Sequence, residues 1–284
     1  MIDIKELIKA GVHFGHQTSR WCPKMEPYIW GFRRGIHLID VSKTARQLEK
    51  ASKFLEEVAA QGKPIFWVGT KKSAQEIVAQ TGNRLRMPCV THRWIGGSLT
   101  NYAQVKKAVT KLLYFEDILS KTSELPYTKK ELNTFQKMVD RLRKNVGGIV
   151  SLVWPIGAVV IVDVRKEQTA LKEAIASGIP VVALIDTNSD PSGIQFVIPG
   201  NDDSPKSIEI IVNYLAEAAA RGQKMAAQQK VAAKPQERER VIEKVGAEIL
   251  LSDDDSEEEE SEENRKKEKQ KTVRQEKPDG RQRG

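Results

Sequence analysis

AVVIVDVRKEQTALKEAIASGIPVVALID, residues 158–186, decides the fold. Its two apolar runs, Ala158–Asp163 and Ile179–Asp186, show no alternation of apolar with polar residues, the pattern of strands covered on both faces. Between them Lys166–Ser177 reads as an amphipathic helix, and Gly178 falls where a glycine ends a helix. Strand, helix and strand in so short a span form a parallel βαβ unit.

Working outward, Gly35–Asp40 (GIHLID) and Pro64–Gly69 (PIFWVG) read as two more buried parallel strands, with Cys89–Val90 and Phe196–Ile198 as short additions. Helical segments separate them at Ser42–Gln61, Lys71–Gly82 and Pro205–Arg221. Ser42 is placed to cap the first, and Gly62 to stop it. The alternation predicts an α/β, doubly wound parallel sheet. One region departs from it. Val105, Ala108, Leu112, Phe115 and Leu119 step by three and four, as do Leu132, Phe135, Val139, Leu142 and Val146 beyond a turn at Leu125-Pro126. Two such stripes predict an inserted antiparallel coiled-coil helical hairpin.

Charge divides the chain. It has 284 residues with Lys+Arg 46 against Asp+Glu 38, a net +8. Gly222 to Gly284 holds 15 basic and 16 acidic residues, which leaves Met1 to Arg221 with 31 against 22. The folded part is therefore the basic part, and a single-sign field favours polyanions, nucleic acid first. Beyond Tyr214 there are no aromatic residues, and Asp253 to Glu263 is nearly unbroken acid. The expectation is a disordered C-terminal tail. No apolar run approaches the ~18 residues of a membrane span, and MIDIKELIKAG carries no secretory signature, so a cytoplasmic, soluble protein is expected. Two cysteines, Cys22 and Cys89, make no disulfide framework.

Four stretches carry chemistry. In the first, Phe14, Trp21, Tyr28, Trp30 and Phe32 are interleaved with Arg20, Lys24, Arg33 and Arg34 among glycines and prolines. That composition suits irregular RNA, although at least half of these rings are expected to pack as core. His13, His16 and Cys22 match no standard zinc spacing, so no metal is assigned. In the second, Val68-Gly69-Thr70-Lys71-Lys72 marks a strand-to-helix junction whose amides and lysines suit a phosphate, without a P-loop pattern. The third, His92-Arg93-Trp94-Ile95-Gly96-Gly97-Ser98-Leu99-Thr100-Asn101, sets a cation and an indole before two glycines. There Ser98, Thr100 or Asn101 can cap the next helix, and Arg93 with Trp94 can grip a phosphate and a base. The fourth comprises Asp186-Thr187-Asn188-Ser189-Asp190-Pro191 and Ile198-Pro199-Gly200-Asn201-Asp202-Asp203 at strand carboxyl ends. Asp186, Asp190 and Asp202 suit a nucleotide- or Mg-dependent enzyme, but turn and cap chemistry is the favoured reading.

Together these stretches resemble one family, the bacterial-type small-subunit ribosomal protein S-two. The likeness is carried by GVHFGHQT (Gly11–Thr18), the spaced motif from Trp21 to Asp40, FWVGTKK (Phe66–Lys72), RWIGGSLTN (Arg93–Asn101) and the aspartate loops from Asp186 to Asp203, in order to about Gly222. The resemblance implies a Rossmann-like body with no enzymatic activity and no cofactor. The expected boundaries are an RNA-facing extension at 1–35, a body at 36–103 and 147–222, the hairpin at 104–146 and a charged tail at 223–284. It implies binding to small-subunit ribosomal RNA where head and body of the subunit meet, and help in anchoring ribosomal protein S-one among its neighbours. By position, the RNA-facing loop falls on His16, Arg20, Lys24, Arg33 and Arg34. The strand-end lysines fall on Lys71 and Lys72, and the glycine loop on Arg93, Trp94, Gly96 and Gly97. Cys22 stands where the family usually has Asn. Val153-Trp154-Pro155-Ile156-Gly157 and Val164 also depart from its pattern.

Overall fold

The computed structural model describes residues 2–121 and 127–228. In chain order the elements are α1 (Ile4–Lys9), β1 (Phe14–Gln17), β2 (Ile29–Arg33), β3 (Ile36–Ile39), α2 (Val41–Ala60), β4 (Ile65–Val68), α3 (Lys72–Leu85) and β5 (Cys89–Val90). There follow α4 (Tyr102–Ser120), α5 (Lys129–Val146), β6 (Ala158–Val162), α6 (Gln168–Ala176), β7 (Val181–Ile185), β8 (Phe196–Pro199) and a helix over residues 205–228, α7.

The five-stranded sheet has the order β5-β4-β6-β7-β8, every pairing parallel. This is the doubly wound order in which the direction of winding reverses between β4 and β6. All residues of β4, β6 and β7 are buried, which is why these runs do not alternate. Successive side chains serve opposite faces. Trp67, Val160 and Leu184 join a core with Leu48, Val78 and Ile211 from α2, α3 and α7. Phe66, Val159 and Ala183 join another with Leu112, Val139 and Ala174 from α4, α5 and α6. The Rossmann-like α/β expectation holds.

Gly35–Asp40 requires correction. Its central residues form β3 of a separate antiparallel sheet, order β1-β3-β2, and take no place in the parallel one. Arg34 and Gly35 have φ of 51° and 76°, a two-residue turn that folds β3 back onto β2. The helix that follows begins one residue early. Asp40, not Ser42, is its cap, accepting from the amides of Ser42 and Lys43. Gly62 and Gly178 stop their helices at φ 74° and 65°, as expected.

Helices α4 and α5 lie against one another. The Phe115 and Phe135 rings stack at 5.3 Å, and Arg143 pairs with Glu116 at 2.6 Å. Thr128 and Glu131 form a capping box at the start of α5. The turn at Leu125-Pro126 and the acidic run of the tail lie outside the described residues. At the positions that depart from the family pattern, Val153 and Trp154 are 65% and 40% exposed, whereas Val164 is buried. No helix among the described residues is long and apolar enough to cross a membrane.

Candidate nucleic-acid interface

The first 35 residues are fastened to the carboxyl ends of the parallel strands. The Cys22 amide donates to the Thr187 carbonyl (2.8 Å), the His16 amide to Thr187 Oγ1 (2.9 Å) and the Asn201 amide to the Val12 carbonyl (3.1 Å). Gly15 permits this approach: a Cβ there would stand 2.7 Å from Thr187 Cγ2 and 2.9 Å from its Oγ1. Thr187 is fully buried and has nowhere to move. Gly15→Ala is therefore expected to cost about 1–3 kcal/mol. A urea midpoint unchanged from wild type would defeat that account.

The crevice where β4 and β6 diverge is the place open sheets give to ligands. Here it is filled by the protein's own charges. Lys71 Nζ stands 2.7 Å from Asp202, 2.5 Å from Asp203 and 3.4 Å from Asp163. Burial lowers the Lys71 pKa, but the hydrogen bonds it donates to Asp202 and Asp203 outweigh that, and the net shift is upward. Lys166 Nζ donates to the Thr70 carbonyl (2.9 Å), and Thr70 donates through its amide and hydroxyl to the buried Glu167 carboxylate. Lys71, expected on a phosphate, faces three carboxylates instead. No local pattern in GTKK reveals partners more than ninety residues away.

His16 is likewise engaged inside the protein. Nδ1 is 3.0 Å from Asp186 and Nε2 3.4 Å from Asp203. Its pKa is raised, first by the Asp186 hydrogen bond, against burial. One ligand atom each from His16, Asp186 and Asp202 lies within 4.8 Å of the others, a set that could hold a divalent cation. Neither His13 nor Cys22 belongs to it. The remaining aspartate-loop contacts are those of turns and caps. Asp186 accepts from the Thr187 amide (2.5 Å), Asp190 from the Ser192 amide (2.9 Å), and Asn201 from the amides of Asp203 and Ser204 ahead of α7. Asp190 also takes Lys24 Nζ at 2.8 Å, and hydrogen bonds from Lys24 and Ser192 hold its carboxyl down at about 2.

The glycine loop is built around a residue that sequence reading missed. Glu173 of α6, 9% exposed, accepts from Trp94 Nε1 (3.0 Å), the Gly97 amide (2.9 Å) and the Leu99 amide (3.0 Å). Trp94 is thus buried, 5.4 Å from the Phe66 ring, and presents no open face to a base. Asn101 holds the cap position of α4 without a side-chain cap hydrogen bond. The signal for Glu173 was available, since it lies on the same helical face as Ala170 and Ala174, both fully buried.

What remains outward is cationic and aromatic. Arg20, Arg33, Arg34, Lys72 and Arg93 have neither an ion pair nor a side-chain hydrogen bond among the described residues, and Gly96 has open space around it. Contrary to the expectation of burial, four of the five early rings are exposed: Phe14 48%, Trp21 36%, Trp30 75% and Phe32 73%.

The fold is that of an α/β body with ion pairs across the crevice at its strand ends and with exposed arginines that have no ion pair among the described residues. The model of the ribosomal protein S2 family matches residues 7–222, and the chain belongs to that family. It is thereby a structural constituent of the small ribosomal subunit, acting in translation.

Proposed function

We propose that the protein binds small-subunit ribosomal RNA between the head and body of the subunit, in the cytoplasm, and helps anchor ribosomal protein S-one. The observation that carries the RNA reading is the β2–β3 hairpin, where Trp30 and Phe32 stand open beside the unpaired Arg33 and Arg34. Guanidinium groups at a turn meet phosphates, while open rings stack on bases. Arg20, Lys72 and Arg93 extend this set, with Gly96 and Gly97 allowing close backbone approach. His16, Lys24, Lys71 and Trp94 act beneath it, holding the loops in place.

Phosphate contacts make binding salt-dependent, with log affinity falling by about 0.7–0.9 per contact for each tenfold rise in salt. A double Arg33→Ala, Arg34→Ala variant is expected to bind a small-subunit ribosomal RNA transcript roughly tenfold more weakly, with a slope reduced by about 1.5. Filter binding between low and moderate salt tests this, and equal slopes for variant and wild type would remove the hairpin from the interface. For S-one, family membership is the support. Deleting residues 104–145 and measuring S-one retention on subunits tests whether the helical pair carries that contact.

A further inference from the structure

Beside the aspartate loops lies a cavity of about 750 Å³, walled by the extension, the start of α6 and the loops after β6 and β7. Arg20, Arg165 and Lys172 line it, and none has an ion pair or side-chain hydrogen bond among the described residues. The one carboxylate in the wall, Asp190, is already neutralised by Lys24 at 2.8 Å. The cavity is therefore positive and its cations are free. Trp21 lines the same space, its ring 5.2 Å from His37. Gln168 and Asn188 add side-chain amides, the groups that pair with base edges.

We propose that this cavity is a nucleotide subsite, which takes one base extruded from the bound RNA against Trp21 and its phosphates onto Arg20, Arg165 and Lys172. The inference rests on the RNA-binding reading above and adds a place and a mode. The volume lies within the range of small-molecule sites. An indole among cations and amides is the set that recognises an unstacked base with its phosphate. The acidic segment of this chain's tail shares the charge but has no aromatic ring to offer Trp21.

The test uses the full-length protein, a small-subunit ribosomal RNA transcript and free AMP. Trp21→Ala should weaken transcript binding roughly 5- to 100-fold without altering the salt slope, and Trp21→Phe should restore most of it. The double variant Arg165→Ala, Lys172→Ala should lower the slope by about 1.5. Photo-crosslinking of the unmodified protein to a 4-thiouridine transcript should label the peptide containing Trp21, a readout independent of how the variants fold. Transcript affinity within twofold of wild type for all three variants, with no label at Trp21, overturns the subsite and leaves RNA binding standing. A wild-type protein that does not bind the transcript overturns both. If AMP binds in a Trp21-dependent manner while transcript affinity is unmoved, the ligand is a free nucleotide and the RNA subsite is wrong. If a peptide of residues 252–263 displaces the transcript through Arg165 and Lys172 but not Trp21, the cavity belongs to a protein ligand and the proposal fails.

Discussion

Replacing Glu173 with alanine is expected to destabilise the protein by roughly 3–5 kcal/mol and to free the loop that carries Arg93. One carboxylate serves three donors: the Trp94 indole and the amides of Gly97 and Leu99. Alanine leaves all three without an acceptor, and each orphaned buried donor costs ~1–3 kcal/mol. Removing a buried charge gives back part of its desolvation cost, which is why the net falls below the sum. Glutamine keeps the shape but turns an N–H₂ toward an N–H, so Glu173→Gln should lie between alanine and wild type. Urea denaturation measures the loss, and limited proteolysis at Arg93 reads the loop. A Glu173→Ala protein within 1 kcal/mol of wild type, with Arg93 still protected, would contradict this account. Because Arg93 is exposed and unpaired, its position depends on the loop beneath it. The variant should therefore also weaken RNA binding, by a change in affinity larger than its change in salt slope.

The parallel sheet was legible because burial on both faces leaves a local mark. Apolar runs at 64–69, 158–163 and 179–186 needed no distant partner to be read. Gly35–Asp40 carries the same mark for a different reason. Ile39 and His37 are buried beneath the extension, and the clue to antiparallel pairing was the Arg34-Gly35 turn, not the run itself. The site was less legible, since its chemistry depends on residues far apart in sequence. Lys71 reads as a phosphate ligand until Asp163, Asp202 and Asp203 are seen around it. Trp94 reads as a stacking platform until Glu173 claims its N–H. The exposed rings were judged by the general tendency of aromatics to be buried, and a binding surface is where that tendency fails.

Stability should fall as pH rises from about 4.5 to 8, and Asp202→Asn should remove much of that fall. Burial, then the neighbouring Asp163 and Asp186, push the Asp202 carboxyl up to about 7, against the pull of Lys71. In the unfolded chain it would titrate near ~3.9. Between those values the folded protein binds the extra proton, so each rise in pH favours unfolding, by on the order of 3 kcal/mol across the window. Two other groups add to the same trend. The His16 pKa is raised by Asp186, so stability gained from its protonated form is present below its unfolded value and is lost as pH climbs through the folded one. Burial raises Glu167 as well, with the same sign as Asp202. Two groups run the other way. The Asp190 carboxyl is held at about 2, so its contribution is lost only below the window. Burial lowers the His13 pKa, so His13 favours folding as pH rises within the window and offsets part of the fall. Asparagine at 202 keeps an oxygen for Lys71 Nζ and carries no charge toward Asp163 and Asp186. The variant should match wild type near pH 4.5 and exceed it near pH 8. Urea titrations at the two pH values, with a chelator present so that no cation settles between His16, Asp186 and Asp202, measure both slopes. A wild-type protein that gains stability across this window would show that Lys71 holds Asp202 ionised throughout, and that the cluster is a net attraction rather than a strained concentration of carboxylates.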